Sequence, residues 1–227
     1  MIPLGDDNSQ RIHPPIVTIS IIVINVLVFF LELGQGSDAQ MQMFFQKWCV
    51  IPREYALRTD LPPFIPVPFW FTLFTSMFMH GGWMHIIGNM LYLYIFGDNV
   101  EDHWGHFRFF VIYILCGVAA SLSFIAFNLH STLPSLGASG AIAGILGAYL
   151  VLYPKNQVRV FVFRFLTTLP AYIVLGFWIV LQFISQIGEI GHTAETSGVA
   201  YMAHIGGFIT GVIFALIVGR RPGTSQL

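Results

Sequence analysis

Between Ile16 and Leu33 the chain reads IVTISIIVINVLVFFLEL, with Glu32 as its only ionisable side chain. As a helix this run rises about 27 Å, close to the roughly 30 Å of a bilayer's hydrocarbon core. In lipid only a helix or a closed barrel satisfies its own backbone groups, so a run of this kind is expected to be helical. Five more apolar runs follow: about Met84–Phe96, ended by Gly97-Asp98; Phe107–Phe127; Ser139–Tyr153, stopped by Pro154; Leu166–Ile187; and Val199–Val218, closed by Arg220-Arg221. The expectation is an all-α polytopic membrane protein with six transmembrane helices. Residues 1–15 form a cytoplasmic N-terminus, 16–219 one six-helix domain, and 220–227 a short cytoplasmic tail.

Composition agrees. Charged residues make up 9% of the chain, against about a quarter in soluble domains. The net charge of −1 excludes a nucleic-acid partner, because phosphate binding needs clustered Lys and Arg. Two cysteines, Cys49 and Cys116, do not make a disulfide framework. The first run lacks a basic n-region and a small-residue cleavage site, so it reads as a retained helix rather than a signal peptide. The stretch Gly34–Gly82 carries five prolines after Val50 together with Phe44, Phe45, Trp48, Phe64, Phe69, Trp70, Phe71 and Phe74. It is expected to be a long first loop lying at the membrane interface, where aromatic rings are favoured.

With six spans, Arg11, Arg108, Lys155, Arg159, Arg164, Arg220 and Arg221 share one side, and only Lys47, Arg53 and Arg58 lie on the other. Seven against three puts both termini in the cytoplasm. The second, fourth and sixth spans then start on the extracytoplasmic side. Each carries its notable polar group near that start: His85 and Asn89, Ser139, and His204. The fourth span rises only about 22 Å, so Ser139 lies below the outer surface. Irregular backbone at that depth must be buried in protein or line a water-filled cavity. Gly140, Gly144 and Gly147 on the fourth span and Ala203, Gly207 and Gly211 on the sixth form stripes without side chains. Such stripes let two helices approach closely and bring Ser139 to His204.

These motifs resemble those of the rhomboid intramembrane serine proteases: Gly137-Ala138-Ser139-Gly140 with Gly144 and Gly147, Ala203-His204 with Gly207 and Gly211, and His85-Ile86-Ile87-Gly88-Asn89. His80-Gly81-Gly82-Trp83, Gly97-Asp98-Asn99-Val100-Glu101-Asp102 and the opening Met1-Ile2-Pro3-Leu4 are also similar to family sequence. Two departures stand out. Where some members have Trp-Arg in the first loop, this chain has Trp70-Phe71. Where some place an aromatic ring one turn after the serine, this chain has Ala143, so another group must hold His204.

The chemistry expected is peptide hydrolysis. Ser139 is the candidate nucleophile and His204 the general base and acid. No Asp or Glu occurs in the fourth or sixth span, so the residues read as a Ser–His dyad. The oxyanion donors expected are the Ser139 backbone N–H, unpaired at a helix start, and His85 and Asn89, one turn apart on a helix face. Gly137, Gly140, Gly144, Gly207 and Gly211 support the packing. No cofactor is expected, and no metal, since no Cys, His and carboxylate set has zinc-site spacing. The resemblance implies membrane-protein substrates cut in or near a transmembrane segment. It further implies a prokaryotic cell membrane, and a site opening outward with the fifth span or the loop 188–198 as its gate. The rival readings are Ser139 as packing glue, a small transporter, and an inactive relative that binds membrane clients. Glu101 and Asp102 are expected to cap or tether the second loop, with His103 and His106 at a solvated helix end. His80 and His192 are read as loop or interfacial residues.

Overall fold

The computed structural model describes residues 1–189 and 200–219. The expected loop 190–198, its His192, the start of the last span at Val199 and the tail with Arg220-Arg221 lie outside the described residues. In chain order the elements are β1 (Ile2–Asp6), α1 (Ile16–Leu33), α2 (Asp38–Trp48), α3 (Pro52–Leu57), α4 (Thr72–Thr75), α5 (Trp83–Trp104), α6 (His106–Phe127), α7 (Ser139–Leu152), β2 (Gln157–Val162), β3 (Phe165–Pro170), α8 (Ala171–Glu189) and α9 (Tyr201–Val218). Four helices, α1, α6, α8 and α9, are long and apolar enough to cross a membrane by length and composition.

At the centre stands α7, buried continuously from Gly140 to Tyr149. It packs against α6 and α9 on glycine contacts. A Cβ on Gly144 would collide with Cys116 of α6, and one on Gly211 would fall on the Gly144 carbonyl. Gly207 meets the Gly140 carbonyl in the same way. Helices this close exclude any side chain from the seam, which fixes their relative height and rotation.

The expectation of an all-α chain needs correction. A three-stranded antiparallel sheet in the order β1-β2-β3 lies beyond the Leu152 end of α7. Its pattern was present in the sequence: Val158 and Val160 are buried, while Gln157, Arg159 and Phe161 alternate with them on the exposed side. That is the period of two of a half-buried strand. The stretch read as a basic loop is therefore a hairpin, and Leu166–Pro170 belongs to β3 instead of opening the fifth span. That helix starts at Ala171 and runs through Gly188 to Glu189, so the expected glycine-rich loop does not begin at Gly188. Residues 34–82 are not a plain loop either, since they form α2, α3 and α4.

The second span also differs. Gly97-Asp98 does not end it, and α5 continues to Trp104 before a single Gly105 at φ +78° turns the chain into α6. Gly97 serves close approach, because a Cβ there would lie 3.1 Å from the Thr18 side chain of α1. The acidic residues after it face protein. The Glu101 carboxylate accepts from Val17 N–H, Thr18 N–H and Thr18 Oγ at 2.7–2.8 Å, capping the N-terminus of α1 from 83 residues away. Asp102 accepts from His13 N–H (2.8 Å), and Asp98 pairs with Arg11 (2.5 Å). Glu101 and Asp102 thus tether the N-terminal segment and α1, and Glu101 also holds His106 just past the turn at Gly105. His106 closes on Glu101 (2.5 Å) and His103 on the Gly219 carbonyl (3.1 Å), so neither is a freely solvated helix end.

Candidate active site

Ser139 opens α7 two residues after Gly137, whose φ of +123° lies in the region that glycine alone adopts readily. The approach to it is fixed from below and beside. Gly137 N–H donates to the Ser76 carbonyl (2.9 Å), and Ser135 exchanges backbone hydrogen bonds with Val50. At the start of a helix the Ser139 N–H has no intrahelical partner and lies at the positive end of the helix dipole.

On the facing helix α9, His204 places Nε2 at 2.8 Å from Ser139 Oγ. Its other nitrogen, Nδ1, lies 2.8 Å from Gln182 Oε1 on α8. A carbonyl oxygen only accepts, so Gln182 selects the tautomer with the proton on Nδ1. Nε2 then carries the lone pair that accepts the Ser139 hydroxyl proton. The indole of Trp178, one turn earlier on α8, packs over the imidazole with ring centroids 5.7 Å apart and planes tilted by 40°. Trp178 and Gln182 therefore supply the ring contact and the hydrogen bond to His204 that Ala143 cannot. Sequence reasoning missed both. The only available signal was their i, i+4 spacing on an apolar helix, which does not say what the helix faces.

On the other side of the serine, His85 belongs to α5. Gly81 N–H donates to its Nδ1 (3.3 Å), which leaves the proton on Nε2. A Cβ built on Gly137 would lie 2.8 Å from that Nε2 and 3.6 Å from Ser139 Oγ, so the two atoms border one point in space. Gly137 is needed there for room as well as for φ. Asn89 follows one turn later, 8% exposed, and its Nδ2 has no hydrogen-bond partner among the described residues. A buried amide donor without an acceptor is costly, and such groups collect at sites that receive a ligand atom. His80 is buried beneath His85, with ring centroids 5.1 Å apart, rather than exposed at an interface. Its backbone N–H donates to the buried Glu32 carboxylate (3.0 Å), which holds the turn carrying Gly81. Burial and the neighbouring His85 push the His80 imidazole down to about 4, so it is neutral and adds no charge to the site.

His85, Asn89, Ser139, Trp178 and His204 help to line one cavity of about 840 Å³. The structure thus brings together Ser139, His204, His85, Asn89 and Gly137, and places Gly140, Gly144, Gly207 and Gly211 in the seam beneath them. The arrangement holds a hydroxyl on an imidazole nitrogen, with His85 Nε2 bordering the space beside it and the Asn89 amide lining the same cavity.

The sequence profile of the Rhomboid domain family matches residues 68–221. Among curated relatives, the mitochondrial Rhomboid protein 1 of Saccharomyces cerevisiae is 27% identical over 214 residues, covering 92% of this chain and 55% of its own length. The Rhomboid protease GluP of Bacillus subtilis is 32% identical over 206 residues, covering 90% and 35%. The chloroplastic Rhomboid-like protein 11 of Arabidopsis thaliana is 28% identical over 169 residues, covering 70% and 56%. The chain spans about half or less of the length of these relatives.

Proposed function

This chain belongs to the rhomboid family, and we propose that it is an intramembrane serine endopeptidase that cleaves membrane proteins in or near their transmembrane segments. The observation carrying the reading is the contact of 2.8 Å between Ser139 Oγ and His204 Nε2, backed by the Gln182 contact on Nδ1. In this mechanism Ser139 Oγ attacks the scissile carbonyl while its proton passes to His204 Nε2. The negative charge that develops on the carbonyl oxygen is received by the Ser139 N–H, His85 Nε2–H and Asn89 Nδ2–H. His204 then returns the proton to the leaving amine, and an acyl-enzyme remains on Ser139. A water from the cavity, deprotonated by the same nitrogen, releases the acid and restores the hydroxyl.

Six spans, α1 and α5 to α9, fit this reading. The short α7 stands inside the bundle, and the C-terminal end of α5, with its paired acidic groups, lies at the cytoplasmic interface. The excess of basic residues supports cytoplasmic termini and a site opening to the other side. Membrane placement follows from the family and the apolar helices. A prokaryotic cell membrane remains our assignment. The mitochondrial and chloroplastic names among the relatives show that membership alone does not select the compartment. Substrate helices reach the site sideways, and α8 is the natural gate. Only 17% of its apolar window is buried, against 28–39% for α1, α6 and α9. A substrate carrying Gly or Pro near the cut unwinds at lower cost.

The test pairs labelling by a serine-directed fluorophosphonate with cleavage of a model transmembrane substrate in proteoliposomes. Ser139→Ala and His204→Ala are each expected to lower cleavage by about three orders of magnitude or more without unfolding the protein. Cleavage at the wild-type rate by Ser139→Ala overturns the mechanism. Solute flux through a protein that neither labels nor cleaves favours a transporter.

A further inference from the structure

The β2–β3 hairpin presents apolar surface that nothing among the described residues covers. Its two-residue turn is Phe163-Arg164, and the register pairs Val162 with Phe165 and Phe161 with Leu166. Tight hairpin turns of this kind favour Asn, Asp or Gly where φ is positive. Here the first turn residue is Phe163, at φ +54° and 92% exposed. A bulky aromatic residue in that conformation strains the backbone. Phe165 and Leu166 are 75% and 65% exposed. Folding therefore gains nothing from these side chains, and the turn would be less strained without Phe163.

Two observations say what covers them. First, the hairpin is continuous with the lipid-facing surface: β3 ends at Pro170 and α8, a helix long and apolar enough to cross a membrane, begins at the next residue. A strand fused without a linker to the end of such a helix lies at the level where hydrocarbon gives way to headgroups. Secondly, the hairpin's own charge is one-sided, the acidic Asp6 and Asp7 lying at the end of β1 away from the tip. Lys155, Arg159 and Arg164 are all exposed, and no acidic residue occurs from Lys155 to Pro170. Aromatic rings among exposed cations fit an anionic interface, with rings in the acyl boundary and cations among the phosphates.

We propose that the tip of the β2–β3 hairpin, Phe163 with Phe165 and Leu166, inserts into the leaflet facing the Leu152 end of α7, and that Lys155, Arg159 and Arg164 bind anionic lipid headgroups there. The sheet becomes a second membrane anchor, on the face opposite the Ser139 end. It ties the start of α8 and, through β1, the N-terminal segment to the bilayer surface. This inference does not depend on proteolytic activity or on which leaflet is cytoplasmic.

The test is a nitroxide at Phe163→Cys, and separately at Phe165→Cys, in the full chain reconstituted in phosphatidylcholine bilayers with and without phosphatidylglycerol. Both native cysteines are buried, so labelling is directed to the new thiol. The ratio of collisions with oxygen to collisions with a water-soluble nickel chelate is expected to rise several-fold over that of a label at the exposed Gln10. Phosphatidylglycerol should raise it further, and the triple variant Lys155→Gln, Arg159→Gln, Arg164→Gln should remove that lipid dependence. Free access of the nickel chelate in both bilayers overturns the proposal. Restricted access of both reagents overturns it in favour of a protein surface, a second copy or another partner, covering the tip.

Discussion

The two ends of α5 carry similar residue types and use them differently. At the C-terminal end Asp98, Asn99, Glu101 and Asp102 are buried and each is paired: with Arg11, with Asp6 and Asn8, with the start of α1, and with His13. At the N-terminal end Asn89 Nδ2 has no partner among the described residues, and His85 uses only Nδ1. The paired residues at the C-terminal end specify architecture, although Trp104 Nε1 and Asp6 Oδ1 beside them have no partner among the described residues. The unpaired Asn89 donor instead lines the cavity that holds Ser139 and can receive a ligand atom. Sequence alone already sets His85 and Asn89 apart from Glu101 and Asp102, and the bond inventory supplies the partners that it lacks.

The largest effect expected is at the architectural end. Glu101→Ala strips the first turn of α1 of its acceptor and leaves buried donors unmatched, a loss of about 3–5 kcal/mol seen as a lowered unfolding temperature in detergent. Activity per folded molecule should survive. At the other end the signs reverse. His85→Ala and Asn89→Ala should leave the unfolding temperature nearly unchanged and lower kcat by about 10²–10³-fold, as removal of an oxyanion donor does elsewhere. If Asn89→Ala instead destabilises as strongly as Glu101→Ala, the comparison collapses.

A smaller effect separates orientation from chemistry. Gln182→Leu removes the acceptor on His204 Nδ1 and should lower both kcat and the fluorophosphonate labelling rate by about tenfold, with KM little changed. Gln182→Glu restores an acceptor and should recover most of the loss. Equal labelling by wild type and Gln182→Leu would show that Trp178 and packing suffice to hold the ring.

The smallest effect concerns pH and the sheet. Asp6 receives hydrogen bonds from Tyr149 Oη and Asn99 Nδ2, yet burial pushes its carboxyl up from 3.8 to about 6, with the Asp98 charge adding to the rise. A raised carboxyl binds its proton more tightly when folded, so its contribution is fully present below about 4 and is lost as pH rises to about 6. Asp6→Asn keeps an acceptor oxygen and should flatten the fall in unfolding temperature across that window. Glu54, also raised by burial, to about 7, titrates in an overlapping range, so the difference between variant and wild type is the measurement.

Much of the bundle is legible because lipid leaves few options. Uncharged apolar runs become helices, and glycines at spacings of three and four mark where backbones meet. The bounds of α1 and α6 follow from this within a residue or so. Reading fails where tertiary partners override local signals. Gly97-Asp98 looks like a helix stop, yet Thr18 and Arg11 make the glycine a packing surface and the aspartate a paired charge. The alternation from Gln157 to Val162 has the period of a half-buried strand, but a stretch this short with basic residues between two apolar runs equally fits a charged loop.

By itself the sequence determined which side chains exist to do chemistry and in what order they enter the membrane: a hydroxyl, two imidazoles and an amide on three separate apolar segments. The tertiary structure decided which nitrogen of each histidine carries the proton. Gly81, four residues before His85, and Gln182, on a different helix from His204, set those tautomers through single hydrogen bonds that no sequence pattern specifies. Periodicity reports the direction a helix faces, and hydrogen bonding depends on the ångström position of what it faces. The question that Ala143 raised, what holds His204, is therefore answered by α8, the least buried of the long apolar helices.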